Sequence, residues 1–453
     1  MNVVLLMSDE HNPFFSSCYG HPLIQTPQMS AMAAEGTLFR NAYCPSPLCH
    51  PSRSAFLTGH RVHELQTYSN CNVNLDGRAP TYGAELSKQG VYTAYIGKTD
   101  IHAPSHQLGF DEMMLAGDRK QPGDTNFVRR PLNIREDADQ RSGKFGPKDG
   151  AYAKDLRCID TAVSWIQTKG TQLEQPWVLT VNITSPHFPT YTTQELWDRY
   201  PQGEDLSPYD GDSWESSRHP YAMDLKAHFK TALFPEAHKR GIRRGYLACI
   251  TFVDQQIGRL REAIALNGLA ASTDFIYTSD HGDMMGKFGM WWKCSLYEDS
   301  VRIPCLAVGP SFGPGGQVVD TPVDLLDVQA ALFKAAGATQ PPDRKGTALQ
   351  DIMPNDPERM IFAEYHGHGT RSGAYMVRKG DWKLIWYAEA PHQLFHLASD
   401  PDELTNVYSQ QLEKAQELEA ELRAICDPEA ENERAHLFQE EQRRILESQG
   451  IHV

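Results

Sequence analysis

Asn2-Val3-Val4-Leu5-Leu6-Met7-Ser8 opens the chain as an apolar run, and Asp9-Glu10 closes it. Residues 3–7 show no polar alternation, so neither face of such a strand is meant for water; this is the pattern of a strand buried inside a parallel sheet. Similar runs recur at 91–96, 177–183, 275–278 and 303–308. Helical patterns lie between them: one begins at Thr26-Pro27 and stops at Gly36, one covers 151–168 and stops at Gly170, and a long amphipathic one covers 242–266. Strands alternating with helices predict an α/β fold, a mostly parallel sheet sandwiched by helices. In such sheets functional groups gather beyond the carboxyl ends of the strands. Asp9-Glu10, Gly97-Lys98, Ser185-Pro186-His187 and Asp280-His281 all fall at such ends, which predicts one composite site.

The full length of 453 residues corresponds to two to four domains at about 150 residues each. A catalytic domain is expected over 1–340. A smaller C-terminal α+β subdomain is expected over 341–408, with short antiparallel strands at 374–378, 382–387 and 393–396 and a turn at Lys379-Gly380-Asp381. Residues 409–453 read as a charged helical tail broken at Asp427-Pro428. A solvated helix pair fits that tail, and so does an oligomerisation arm, because Leu412, Leu418 and Leu422 need something to bury against. The stretches 117–150 and 189–240 read as long loops over the sheet, where selectivity resides.

Lys and Arg number 43 against 58 Asp and Glu, a net charge of −15, which excludes a nucleic-acid backbone as partner. No apolar run approaches the ~20 residues that cross a bilayer. The opening residues lack a basic segment and a small-residue cleavage site, so no signal peptide is expected. Nine cysteines without a C-x-x-C spacing then predict a reduced, cytoplasmic chain. Three motif fragments fail on inspection. Gly97-Lys98-Thr99 lacks the first glycine of a phosphate-binding loop, since that position is Tyr92. His63-Glu64 lacks a second zinc-ligating histidine, since position 67 is Thr. Cys49 and Arg53 stand too close together for a tyrosine-phosphatase loop.

Cys49-His50-Pro51-Ser52-Arg53-Ser54-Ala55-Phe56-Leu57-Thr58-Gly59 is the most informative stretch. A cysteine just before Pro51, with the helix ending near Gly59, sits at a helix N-terminus, where free N–H groups and the helix dipole favour an anion. Arg53 adds a fixed cation in the first turn.

This stretch resembles the C-x-P-S-R maturation signature of the formylglycine-dependent (type I) sulfatases, of the alkaline phosphatase superfamily. Further blocks similar to the family's follow in its order: Asp9-Glu10; Gly97-Lys98 with His102 nearby; Ser185-Pro186-His187-Phe188-Pro189; Thr278-Ser279-Asp280-His281-Gly282; Lys293 with Tyr297-Glu298; and Leu394-Phe395-His396-Leu397 with Asp400-Pro401. The resemblance covers roughly 1–408. It implies hydrolysis of a sulfate ester to alcohol and inorganic sulfate, by the hydrate of a formylglycine (3-oxoalanine) made from Cys49 by a formylglycine-generating enzyme. Asp9, Glu10, Asp280, His281 and the modified Cys49 would hold a divalent cation, Ca²⁺ first among the choices, with Mg²⁺ or Mn²⁺ open because of the imidazole. Glu10 departs from the family's second aspartate by one methylene. Arg53 would steady the hydrate, Lys98 and Lys293 would clamp sulfate oxygens, and His187 would protonate the leaving group.

His102 departs from the family's G-K-x-H spacing, leaving Thr99 or Asp100 as alternatives for its place. That departure keeps a second substrate class open, phosphonate monoesters or phosphodiesters. Asn70 and Asn72 are candidates for polar contacts with the anion. Glu364, His366 and His368 form a polar cluster that reads equally as loop or as substrate rim. The acidic surface disfavours a polyanionic glycan, so a small or short sulfated substrate is expected.

Overall fold

The opening run forms strand β1 (Asn2–Asp9), buried from Val3 onward. The computed structural model describes residues 1–73, 79–101, 103–117, 119, 122–201 and 205–453; His102 lies outside them. Among the described residues the main sheet adds β2 (Thr37–Phe39), β3 (Tyr92–Lys98), β4 (Glu112–Gly117), β5 (Trp177–Pro186), β6 (Thr273–Ser279), β7 (Cys305–Val308) and β8 (Gln317–Val319). Their spatial order is β8-β2-β7-β6-β1-β5-β3-β4. β1 lies at the centre, parallel to β5 and β6, and β3 is parallel to β5 and β4. That placement explains the uninterrupted apolar sequence of β1, which is covered on both faces.

The run at 303–308 departs from the parallel reading. Pro304 divides it, and β7 runs antiparallel to both β6 and β2. A parallel strand needs a crossover that carries the chain back to the other end of the sheet. Here the segment after β6 stays at the carboxyl end and supplies Asp280, His281 and Lys293 to the site instead.

Helices α1 (Pro27–Glu35), α2 (Cys49–Thr58), α3 (Ala153–Trp165), α4 (Glu236–Leu266) and α5 (Leu325–Ala336) cover the sheet. Thr26 does not cap α1; its hydroxyl bonds Ser17 Oγ at 3.0 Å. The buried Asp254 carboxylate of α4 takes that role, accepting from Gln28 N at 3.1 Å and Met29 N at 2.8 Å. The loop reading of 189–240 is corrected in part. Helices Gln194–Asp198, Glu215–Arg218 and Pro220–His228 interrupt it. Thr193 caps the first and His219, followed by Pro220, caps the third, so ordinary helix-start chemistry was present there. Within 117–150, a helical turn, Ala138–Arg141, and a strand, Phe145–Pro147, are formed.

The C-terminal strands β9 (Met360–Tyr365), β10 (Ala374–Lys379), β11 (Trp382–Tyr387) and β12 (Gln393–His396) form an antiparallel sheet in sequence order. Helix α6 (Leu412–Ile425) lays Ala415, Leu418 and Leu422 on Tyr375, Leu384 and Trp386 of this sheet. The leucines of the tail thus find their apolar surface within the chain, Leu412 excepted, which is 52% exposed. Helix α7 (Pro428–Ser448) returns to the large sheet's side of the molecule, burying Ala435 with Ala55, Val62, Tyr68 and Leu326. No helix among the described residues is long and apolar enough to cross a membrane.

Candidate active site

The ends of the parallel strands bring the acids and bases together. Asp9 ends β1, Lys98 ends β3, and His187 and Asp280 directly follow β5 and β6. Gly97 has a φ of +91°, and a Cβ there would stand 2.0 Å from the Asn182 carbonyl oxygen. Only glycine lets β3 press against β5 while turning Lys98 inward. Cys49 begins α2, with its sulfur at the end of the helix that favours negative charge.

One ligand atom from each of Asp9, Cys49, Asp280 and His281 falls within 4.8 Å of the others, and all four residues are buried. Cys49 Sγ lies 3.3 Å from His281 Nε2, which is 3.7 Å from carboxylate oxygens of both Asp9 and Asp280. His281 Nδ1 donates to the Gly282 carbonyl at 3.0 Å, which turns Nε2 toward the cluster. Asp9 Oδ1 is buried with no hydrogen-bond partner. A buried carboxylate oxygen without a donor is costly, and a hard cation among these oxygens would satisfy it. Glu10, with a φ of +67°, belongs to a neighbouring trio with Asp9 and His187. Its Oε2 meets Lys293 Nζ at 3.1 Å and His187 Nε2 at 3.2 Å, while Oε1 is left buried and unbonded. The donor set and its orphaned oxygens fit a divalent cation.

Arg53 is 1% exposed and ties the strand ends to one another. Its Nε donates to Asp280 Oδ2 at 2.8 Å, and one Nη donates to Asn182 Oδ1 at 3.0 Å and the Lys98 carbonyl at 3.2 Å. Lys98 Nζ bonds Asp9 and stands 3.2 Å from Asp100, which Arg119 also holds at 2.5 Å. Burial alone would raise the Asp9 carboxyl, but Lys98, His187 and Arg53 hold it well below its usual range. Burial pushes the Asp280 carboxyl up, and Asp9 adds to this against the pull of Arg53. Burial would lower His281, yet Asp280 and the Cys49 sulfur together more than reverse it, raising it to about 9. Burial likewise raises the Cys49 thiol, and Lys293 with Lys98 overturns that, leaving it well below its ordinary value. The cluster is therefore an acidic seat that attracts positive charge, rimmed by two lysines that favour an anion beside Cys49.

Above Cys49 opens a cavity of about 210 Å³ whose lining includes Asn70, Lys98, His187, Lys293 and His368. Asn70 accepts from His50 N at 3.0 Å, and Asn72 donates to the His50 ring at 2.8 Å. The polar cluster at 364–368 divides. Glu364 lies buried between His63 Nδ1 and His366 Nε2, each at 2.8 Å, and serves as an internal ion cluster; His368 alone of the three lines the cavity. Sequence reading missed Asn182, whose signal was a polar residue within an otherwise apolar strand. It also missed Arg119, Arg135 and Arg141 on the cavity wall, which come from a stretch read only as a loop.

Comparison with known proteins matches this geometry to a family. A sulfatase family model matches residues 1–338, and a model described as N-sulphoglucosamine sulphohydrolase, C-terminal, matches 286–428. Arylsulfatase K of Xenopus laevis is 30% identical over 474 residues, covering 97% of this chain and 85% of that protein. Choline-sulfatase of Rhizobium meliloti is 29% identical over 424 residues, covering 90% and 82%. Among solved structures, one determined in complex with its substrate D-glucosamine-2-N,6-O-disulfate superposes with a TM-score of 0.74 at 22% identity, over 94% of this chain and 99% of that one. The phosphonate monoester hydrolase of Agrobacterium radiobacter gives the same TM-score, 0.74, at 20% identity and 94% coverage of each chain. At these identities the two structures speak for the fold alone.

Proposed function

The chain belongs to the sulfatase family and is a sulfuric ester hydrolase; on that footing we propose that it cleaves the sulfate ester of a small or short alcohol at Cys49, converted to formylglycine by a maturation enzyme, beside a divalent cation. The observation that carries this reading is the convergence of the Cys49 sulfur with Asp9, Asp280 and His281 under two lysines. The modified residue supplies a hydroxyl nucleophile, and the cation supplies Lewis-acid neutralisation of sulfate oxygens. Calcium suits the carboxylates, and His281 keeps magnesium and manganese open.

The chain's own groups then do the following. Asp9, Asp280 and His281 would hold the cation, and Glu10, of the adjoining trio with Asp9 and His187, is the further candidate ligand. Arg53 locks Asp280 to β5 and β3, keeping the α2 N-terminus aimed at the sulfate. Lys98 and Lys293 face the sulfate from two sides and oppose its charge as it shifts onto the leaving oxygen. His187 Nδ1 bonds the Phe188 carbonyl at 2.5 Å, so it carries the hydrogen, and Nε2 accepts from Lys293 Nζ at 2.6 Å. That pair is suited to deliver one proton to the departing alkoxide, from the Lys293 ammonium or from an imidazolium at His187. For the regenerating step, which needs a base to take the proton of the second hydroxyl, Asp100 stands near as a carboxylate beside Lys98, and His102 is the other candidate.

The test is expression with and without a formylglycine-generating enzyme, followed by mass spectrometry of the Cys49 peptide, metal analysis and sulfate release from an aryl sulfate. Sulfate release that tracks conversion of Cys49 is expected. Release that is unchanged in the unconverted protein would defeat the proposal. A kcat/KM for an aryl phosphonate monoester far above that for the aryl sulfate would move the substrate class to phosphonates.

A further inference from the structure

The cavity above Cys49 holds more positive charge than one sulfate group uses. Lys98, Arg119, Arg135, Arg141 and Lys293 line it, with Asp124 as the acid of the lining. Four of these cations are paired: Lys98 with Asp9, Lys293 with Glu10, Arg119 with Asp100 at 2.5 Å and Arg135 with Asp124 at 2.5 Å. Arg141 differs. Among the described residues no carboxylate reaches its guanidinium within 4.0 Å, and no hydrogen bond from that group is made. It lies instead against aromatic faces, 4.1 Å from the Phe188 ring centre and 5.1 Å from that of Trp292. Burial and the neighbouring Arg135 lower it to about 10, so it remains a cation at neutral pH.

A half-buried guanidinium in a cavity wall without a carboxylate partner is open to an oxyanion, which it can hold with bidentate geometry. The aromatic wall fixes the guanidinium plane, so little freedom is lost when an anion binds. The cavity volume of about 210 Å³ falls below the ~300 Å³ at which drug-sized pockets begin, which fits a single ring. We propose that Arg141 is a specificity determinant that binds a second oxyanion, a carboxylate or a further sulfate, carried by the alcohol half of the substrate. Lys98 and Lys293 take the reacting sulfate, and Phe188, Phe229 and Trp292 take the ring between the two anions. This rests on the sulfate-ester reading and narrows it to dianionic esters.

Protein expressed without the maturation enzyme keeps Cys49 as a thiol, so esters bind to it without turnover. Calorimetry on this form, loaded with Ca²⁺, would compare phenyl sulfates carrying a 3- or 4-carboxylate, a second sulfate, or a carboxamide. We expect the better of the carboxylate and disulfate series to bind about tenfold or more tightly than the carboxamide. Whichever series does so identifies the anion. Arg141→Gln brings that ratio to about one while leaving the carboxamide ester's Kd unchanged, and Arg141→Lys retains part of it. Equal binding of all esters by the parent would overturn the proposal, as would a preference that survives Arg141→Gln. An equal loss of every ester in Arg141→Gln would also overturn it, by placing Arg141 on the reacting sulfate. If no ester and no inorganic sulfate binds, the sulfate-ester reading falls together with it, an outcome distinct from those in which the carboxamide ester still binds.

Discussion

His187 and Lys293 show how two residues from distant blocks become one device. They stand 106 positions apart, and Nζ and Nε2 meet at 2.6 Å. If they protonate the leaving alcohol, their worth depends on how much the alcohol needs a proton. His187→Gln is expected to lower kcat by about 10²–10³ for an alkyl sulfate and by less than about tenfold for 4-nitrophenyl sulfate, whose phenolate leaves unaided. Equal losses on both esters would remove the acid role. The cation makes a separate prediction. Asp9 Oδ1 and Glu10 Oε1 are buried and unbonded, so chelation should abolish sulfate release and lower the melting temperature, and restored Ca²⁺ should recover both. At a free ion concentration of 100 times Kd the linkage is about 2.7 kcal/mol. A melting temperature indifferent to chelator would contradict the seat described for Asp9, Asp280 and His281. At this scale the sequence was informative, because chemistry-bearing residues carry their own type: Cys49, Arg53, Lys98, His187, Asp280 and Lys293 were each named from their blocks. Arg141 was not, because an unpaired arginine is recognised only by the absence of neighbours, which no string of residues records.

Elements were legible where one element decides its own form. β1 and β5 announce themselves by apolar runs, and α2 by the proline in its first turn and Gly59 at its end, where φ is +70°. What escaped was set by a second element. β7 takes its direction from the chain's failure to cross back beneath the sheet. The start of α1 takes its cap from α4, since Asp254, not Thr26, receives the N–H groups of Gln28 and Met29. This borrowed cap makes stability depend on pH. Burial pushes the Asp254 carboxyl up to about 6 from 3.8, against the pull of the two N–H groups. Between those values the folded chain keeps a proton that the unfolded chain has lost, so the stability this group contributes falls as pH rises from about 4 to 6 and is level above. Asp254→Asn removes the titration. Urea unfolding at pH 4 and 7 should therefore show the difference between variant and parent moving in the variant's favour by about 2 kcal/mol. A difference that stays constant across that range would show that the carboxylate is not the group described.

Over the whole molecule, the feature with least warning in the sequence is the tail. Residues 409–453 are charged and read as solvated or self-associating, yet α6 covers the small sheet and α7 packs on Ala55, Val62, Tyr68 and Leu326. Their partners, Trp386 for Leu418 and Leu422, Tyr68 and Val62 for Ala435, belong to segments far away in sequence, and amphipathic spacing says that a helix has an apolar face without saying what meets it. Asn432 ties α7 to the body through a charge. Arg129 is buried, and its guanidinium donates to the carbonyls of Thr370 at 3.3 Å and His366 at 3.2 Å and to Asn432 Oδ1 at 3.1 Å. The same Oδ1 accepts from Gly373 N at 2.7 Å. Burial lowers Arg129 to about 10, the direction for a cation whose neighbours only partly replace water. Asn432→Ala leaves two buried donors without an acceptor and should cost about 2–3 kcal/mol in urea unfolding. Asn432→Asp keeps both bonds and adds the missing countercharge. Beside Arg129 its carboxyl would be held below the unfolded value, so its added stability is present above about pH 4 and is lost as pH falls through the folded value. The aspartate variant should therefore match or exceed the parent at pH 7 and fall toward the alanine variant near pH 3. An alanine variant as stable as the parent would mean that α7 is not held by this contact, and that the tail docks through its apolar residues alone.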